Sequence, residues 1–346
     1  MHFKVATLAQ LAQFDEIIDV RSPGEFAEDH LPGAINCPVL DDAERIQVGT
    51  LYKQVSPFEA RKLGAALVAQ NIARHLQQQF HDRPKHWKPL IYCWRGGQRS
   101  ASMVIIFSQI GWAAHQLDGG YKQYRQQVLA DLASLPAQLD LQVICGPTGS
   151  GKSRLLDALH RAGKQVLDLE GLARHRGSVL GKLPDQAQPT QKWFDTQLHQ
   201  AMLRLDLARP VYIEAESRKI GQITLPDSLF ARMHDSDCLQ LQVARPERVR
   251  FLLEDYPFYV SEPERLETQL GFLKAVHSRE QLQQWQAMIS HGDYAALVEQ
   301  LLEQHYDPLY TRSMHRHYHR LQQAVLLKPD SLQADALDAL AARLPG

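Results

Sequence analysis

The sequence predicts an α/β protein: a parallel-sheet domain over residues 1–132, a second α/β domain over 139–250 and a helical extension over 251–346. Three observations carry this reading. Short apolar segments alternate with helical patterns through residues 1–130. After a connector containing Leu135-Pro136-Ala137 the alternation restarts. From about residue 250 it gives way to long polar and leucine-rich stretches, such as 279–289 and 295–306. A chain of 346 residues is long for one core and comfortable for two.

The elements follow in order. Residues 15–20 form a short strand ending in Asp19-Val20-Arg21, and Ser22-Pro23-Gly24-Glu25-Phe26 turns into a short helix. Leu31-Pro32-Gly33-Ala34-Ile35-Asn36 is a turn feeding another strand. Pro89-Leu90-Ile91-Tyr92 is a buried strand that stops at Cys93, with a helix over about 100–110. In the second domain residues 141–145 are a strand and 153–161 a helix; 165–169, 210–213 and 239–243 are further strands. The Ala- and Leu-rich tail after Pro329 reads as a last amphipathic helix. Such alternation implies parallel sheets with helices on both faces.

Composition narrows the function classes. Hydrophobic residues make up 44% and charged residues 22%, ordinary for a globular chain. Net charge is -1, so a polyanion must be met by a local patch. The N-terminus lacks signal-peptide order and no apolar run is long enough to span a bilayer, so a cytoplasmic protein is expected. Cys37, Cys93, Cys145 and Cys238 match neither a disulfide framework nor a zinc ribbon. Cys37 and Cys145 read as packing, and Cys238 is assigned no role.

Two loops carry the chemistry. The first is Cys93-Trp94-Arg95-Gly96-Gly97-Gln98-Arg99-Ser100, between a buried strand and a helix. Backbone N–H groups of such a loop form an anion-binding nest. The helix N-terminus, Arg95 and Arg99 favour thiolate over thiol, placing a nucleophile at Cys93 beside an anion site. Gly96 and Gly97 allow the tight turn. Trp94 stacks a base, caps an apolar pocket or packs.

The second loop, Gly146-Pro147-Thr148-Gly149-Ser150-Gly151-Lys152-Ser153, fits G-x-x-x-x-G-K-[ST] between a strand and a helix. Its backbone wraps phosphate, Lys152 reaches the terminal phosphate, and the Ser153 hydroxyl ligates Mg²⁺ where a metal is present. Glu214 and Glu216 end a nearby strand; they hold metal or water, or pair with Arg218 and Lys219. His175, Arg176 and Ser178 are secondary anion contacts. Any diphosphate satisfies this cradle, nucleotide or not.

Residues 5–130 resemble a rhodanese domain, through Ile18-Asp19-Val20-Arg21, Glu25-Phe26, residues 30–36 and the Cys93 loop. The loop is one residue longer than the common sulfurtransferase pattern, and Cys-x5-Arg-Ser is the spacing of cysteine-dependent phosphatases. That suits a phosphate-bearing donor. Further segments match one family: Asp168-Leu169-Glu170-Gly171-Leu172-Ala173, His175-Arg176-Gly177-Ser178, Glu214-Ala215-Glu216-Ser217-Arg218-Lys219-Ile220-Gly221 and Tyr306-Asp307-Pro308-Leu309-Tyr310. With the two loops they resemble the tRNA 2-selenouridine synthase family, to about residue 320. The resemblance implies replacement of the 2-thio group at wobble uridine 34 of tRNAs for Lys, Glu and Gln. It implies S-geranylation with geranyl diphosphate, then selenation from selenophosphate, with Cys93 carrying selenium as a selenopersulfide. A selenophosphate-supplying enzyme is an implied partner; no tightly bound cofactor or membrane is expected, and a monomer is favoured.

Transfer RNA needs a basic surface. Arg312, His315, Arg316, His317, His319, Arg320 and Lys328 lie in a stretch without acids, interleaved with Tyr310 and Tyr318. A second patch, Arg74, Arg83, Lys85, His86 and Lys88, lies close in sequence to the Cys93 strand. Both patches also read as plain solvated faces. Competing readings are a Cys-x5-Arg phosphatase fused to a P-loop kinase, with Asp118 as its acid, a tRNA sulfurtransferase, and a non-catalytic binder.

Overall fold

The computed structural model describes residues 4–346 apart from Val179 and Asp185; the His315 side chain and residues 1–3 also lie outside the described part. The chain divides into two compact units after Asp131.

In the first unit β1 (Lys4–Ala6), β2 (Glu16–Asp19), β3 (Ala34–Asn36), β4 (Pro89–Tyr92) and β5 (His115–Leu117) form one sheet, ordered β1-β5-β4-β2-β3, with every pairing parallel. The helices are α1 (Pro23–Glu28), α2 (Asp42–Gln54), α3 (Pro57–Gln78), α4 (Gln98–Ile110) and α5 (Gly120–Ser134). All four residues of β4 are buried, as a central parallel strand covered on both faces requires. Ile18, Ile91, Val104 and Phe107 fill the core with Trp87 and Trp112, whose rings meet edge-on at 5.0 Å. Strand order reverses between β2 and β4, which opens a crevice at their C-terminal ends. Cys93 stands at that edge.

The second unit repeats the plan. Its strands are β6 (Leu141–Cys145), β7 (Gln165–Leu167), β8 (Val211–Glu214), the short hairpin β9 (Lys219–Ile220) and β10 (Ile223–Thr224), β11 (Asp237–Leu241) and β12 (Val325–Leu327). The main sheet runs β12-β11-β6-β8-β7, all parallel. The phosphate loop therefore leaves the central strand β6, where the order again reverses. Among its helices are α6 (Lys152–Arg161), α7 (Leu169–Ala173), α8 (Gln191–Leu203), α9 (Asp227–His234) and α10 (Arg245–Asp255).

A helical module follows: α11 (Pro257–Ser261), α12 (Pro263–Leu270), α13 (Arg279–His291), α14 (Tyr294–Leu301) and α15 (Asp307–His317). It has its own core around Trp285, Leu270 and Leu301. Leu302–Tyr306 is wound as a single π turn, a device concentrated at functional sites. The expectation that strands cease after residue 250 is corrected. β12 returns as an edge strand beside β11, with Leu239 opposite Val325 and Leu241 opposite Leu327. A three-residue apolar strand carries no readable period. The final helix α16 (Ala334–Arg343) then buries Leu337, Leu340 and Ala341 in one core with Leu155 and Leu159 of α6. Among the described residues no helix is long and apolar enough to cross a membrane.

Because Leu337 is 1% exposed, Leu337→Ala is expected to cost about 2–5 kcal/mol, read as a lower denaturation midpoint in chemical unfolding.

Candidate active sites: a thiol loop and a phosphate loop

The sulfur of Cys93 sits deep, with the residue 3% exposed. The Gly97 N–H and the Ser100 hydroxyl each lie 3.2 Å from Sγ. The Gln116 amide donates to Ser100 Oγ at 2.7 Å and to the Gly97 carbonyl at 3.0 Å. That oxygen thus already accepts a hydrogen bond, so its own proton turns toward the sulfur and the Gly97 carbonyl. The start of α5 staples the loop from behind: Tyr121 N–H donates to the Cys93 carbonyl and Lys122 N–H to that of Trp94, both at 2.9 Å. A Cβ at Gly120 would stand 2.3 Å from the Cys93 carbonyl, so only glycine allows this approach.

The Asp19-Val20-Arg21 segment forms a buried frame in the same unit. Arg21 grips Asp19 at 2.6 Å and lies 3.9 Å from the Tyr121 ring centroid, while the Tyr121 hydroxyl donates to Asp29 at 2.7 Å. Trp94 leans on Tyr121 with centroids 5.3 Å apart and stays partly exposed. The arginines divide. Arg95 is exposed, whereas Arg99 pairs with Glu25 at 2.7 Å, so its charge is shared with a carboxylate rather than devoted to the thiol. Asp118 is exposed and its backbone N–H bonds Ala6.

The phosphate loop takes left-handed backbone at Gly149 and Gly151, φ 80° and 81°. Lys152 Nζ donates to the Gly146 carbonyl at 3.1 Å, and the Ser153 hydroxyl donates to Glu170 at 3.0 Å. Arg248, 4% exposed, donates twice to the Thr148 carbonyl, at 2.9 and 2.7 Å, and twice to Asp307, at 3.0 and 2.6 Å. Glu214 is buried and accepts from Glu170 N–H at 2.7 Å. Burial, then the charges of Asp168 and Glu170, push its carboxyl well above the usual range. Burial and the Glu170 charge likewise raise Glu216 to about 8, with Lys152 pulling the other way.

Arg218 pairs with Asp227, so it is not the partner expected for Glu214 or Glu216, and Lys219 is exposed. Among the described residues no three His, Cys, Asp or Glu side chains are grouped to hold a metal ion. Ser153 donates its hydroxyl to Glu170, which sets a hydroxyl and a carboxylate side by side at the start of α6. A cleft of about 360 Å³ opens over the loop. Arg176, Ser178, Glu216, Tyr306, Tyr310 and Tyr318 line it. Arg176 is held by Asp255 at 3.4 Å, and His175 is buried.

Two expectations about basic patches are corrected. Tyr318 is buried and, with Tyr310, faces the phosphate cleft rather than an outer basic surface. His319 is held by Asp235 at 2.7 Å and Arg320 by Asp237 at 2.8 Å, whereas Arg312, Arg316 and Lys328 are exposed with no carboxylate partner among the described residues. In the other patch Arg83 pairs with Glu16 at 2.9 Å and Lys88 lies 4.8 Å from the Phe14 ring, while Arg74, Lys85 and His86 are exposed. Residues 83–88 lead into β4 and lie at the edge opposite Cys93, because a strand carries its two neighbours in sequence to opposite ends. The thiols of Cys37, Cys145 and Cys238 are buried; Cys37 Sγ bonds Gln79 at 3.0 Å. Sequence reasoning missed Ser100 and Gln116 as thiol partners, and Arg248 as the clamp. Glu170 and Asp307 were visible only as members of matched segments.

Fold and loops together define a fusion of a rhodanese-like thiol domain with a P-loop domain. The rhodanese-like domain model matches residues 4–127, and the model for the tRNA 2-selenouridine synthase AAA domain matches residues 139–271. The chain belongs to the tRNA 2-selenouridine synthase family. It is 39% identical to the protein of that name from Nitrosomonas europaea, over 69% of this chain and 63% of that one. It is 32% identical to the one from Bdellovibrio bacteriovorus, over 87% and 89%, and 32% identical to the one from Shewanella oneidensis, over 93% of each.

The raised Glu216 carboxyl gives a pH test. A folded-state value near 8 against an unfolded value near 4.5 means the folded protein binds the extra proton. This contribution to stability is complete below about 4.5 and is lost as pH rises through about 8. Glu216→Gln is expected to flatten the fall in thermal midpoint between pH 6 and 9, measured by calorimetry.

Proposed function

We propose that this chain is a cytoplasmic tRNA-modifying transferase that converts 2-thiouridine to 2-selenouridine at wobble position 34 of tRNAs for Lys, Glu and Gln. The observation that carries the reading is the presence in one chain of a nested thiol, donated to by Gly97 and Ser100, and a lysine-bearing phosphate loop. The relatives' shared name supports it.

The phosphate loop holds the diphosphate of geranyl diphosphate. The thiouridine sulfur attacks the allylic carbon, the C–O bond breaks, and diphosphate leaves with the electron pair, its charge met by Lys152 and loop N–H groups. The proton on N3 of the base goes to solvent. Selenophosphate seats its phosphate in the Cys93 nest. Sγ attacks phosphorus, selenium departs as hydrogen selenide with the pair of the P–Se bond, and water later cleaves the S–P bond. The selenopersulfide implied by rhodanese chemistry would hold selenium two electrons higher and demand a reductant; attack at phosphorus keeps the oxidation level of the product. Hydrogen selenide then adds at C2, geranylthiolate leaves, and the selenide proton returns to N3. The exposed Arg74, Lys85, Arg312 and Arg316 are the candidate backbone contacts for tRNA.

The test is incubation with 2-thiouridine tRNA, geranyl diphosphate and selenophosphate, followed by mass spectrometry of nucleosides. Cys93→Ala should accumulate S-geranyl-2-thiouridine and make no selenouridine. Lys152→Ala should slow geranylation about 10²–10³-fold. Intact geranylation in the lysine variant would sink the assignment of the prenyl donor to this loop.

A further inference from the structure

We propose that a small apolar pocket beside the phosphate cleft receives the end of the donor's hydrocarbon chain and selects its length. The inference rests on the reading of the phosphate loop as a cradle for a prenyl diphosphate.

The pocket measures about 70 Å³ and lies among α10, α11, α12 and α14. Thr148, Ser178, Leu252, Tyr256 and Tyr306 line both it and the cleft, so the two spaces adjoin across these side chains. Thr148 belongs to the phosphate loop itself. An ester gripped there by its phosphates therefore has an apolar exit next to the grip.

Beyond the shared mouth the walls are Leu180, Leu253, Leu266, Leu297, Val298 and Leu301. Tyr259 lines the pocket as well, and its hydroxyl is already committed to the Leu180 carbonyl at 2.8 Å, which leaves its ring for the occupant. A ribose and base would demand several convergent hydrogen-bond partners. This wall offers aliphatic carbon instead, which fits a hydrocarbon ester and not a nucleotide.

Size sets the second half of the proposal. A closed cavity of about 150 Å³ accepts benzene, so this smaller space takes only the tip of a chain. The rest lies in the cleft against Leu252 and Tyr256. A close-packed end wall penalises both extra and missing carbons.

Val298 lines the pocket on α14 and is half-buried, so a larger side chain there narrows the space. The experiment compares geranyl, dimethylallyl and farnesyl diphosphates as donors to 2-thiouridine tRNA, using the full chain. Val298→Trp is expected to raise the ratio of kcat/KM for dimethylallyl over geranyl diphosphate about tenfold or more. Val298→Ala should move the preference toward farnesyl diphosphate. Val260→Trp, at an exposed pocket position, repeats the narrowing where folding tolerates bulk. If the wild type alkylates tRNA but all three variants keep its chain preference, the pocket proposal is overturned and the reading of the loop stands. If the wild type uses none of the three esters, the reading of the loop falls and takes the pocket with it.

Discussion

One guanidinium joins the phosphate loop to the helical module. Arg248 lies buried on α10, with two donors on the Thr148 carbonyl and two on the Asp307 carboxylate that begins α15. A buried arginine is tolerated only when its donors are satisfied and its charge paired. Here both conditions are met by groups from the phosphate loop and from the start of α15. The clamp fixes α10 against the loop so closely that a Cβ on Gly149 would meet Leu252 at 2.9 Å. It also anchors α15 directly after the π turn that carries His305 and Tyr306. The polar floor and the aromatic wall of the cleft are thus set by the same four hydrogen bonds.

The acids around the loop make sense within that frame. Glu170, Glu214 and Glu216 crowd one side of a site built to receive an anion. As full charges they would repel it. Burial and mutual repulsion raise Glu214 and Glu216, so near neutral pH they carry less negative charge than their number suggests. Lys152 and the loop N–H groups then dominate the local field. The thiol loop meets a similar demand with neutral groups: a backbone N–H, a serine hydroxyl, and a glutamine that sets the direction of that hydroxyl. Of its two arginines, Arg99 is answered by Glu25.

Much of this was legible in the sequence, because parallel strands buried on both faces read as short apolar runs. The phosphate loop was legible for a different reason: its spacing is dictated by backbone geometry alone. What failed to show were pairings made across distance. Nothing near Arg320 or His319 in sequence reveals that Asp237 and Asp235 neutralise them. Lys88 is close to Cys93 along the chain, yet the strand between them carries the two to opposite edges of the sheet. Arg248 looks like any surface arginine on a polar helix until the Thr148 carbonyl and Asp307 are brought to it. Strand β12 has three residues, too few for any period to register.

The two cradles use the same physics for different ends. Each places backbone N–H groups at the C-terminal edge of a central parallel strand, where the sheet opens and an anion is welcome. The reactive side chain that each loop carries decides the chemistry. In the proposed scheme the lysine of the phosphate loop meets charge on a leaving group, and the cysteine of the other loop supplies an electron pair. On the proposed reading this division also orders the steps. A thione sulfur would have to depart from C2 as a sulfide, whereas an alkylated sulfur departs as a thiolate, a far more stable anion. The lysine cradle must therefore act before the thiol cradle, and a chain with only the second would deliver selenium to a base that could not release its sulfur.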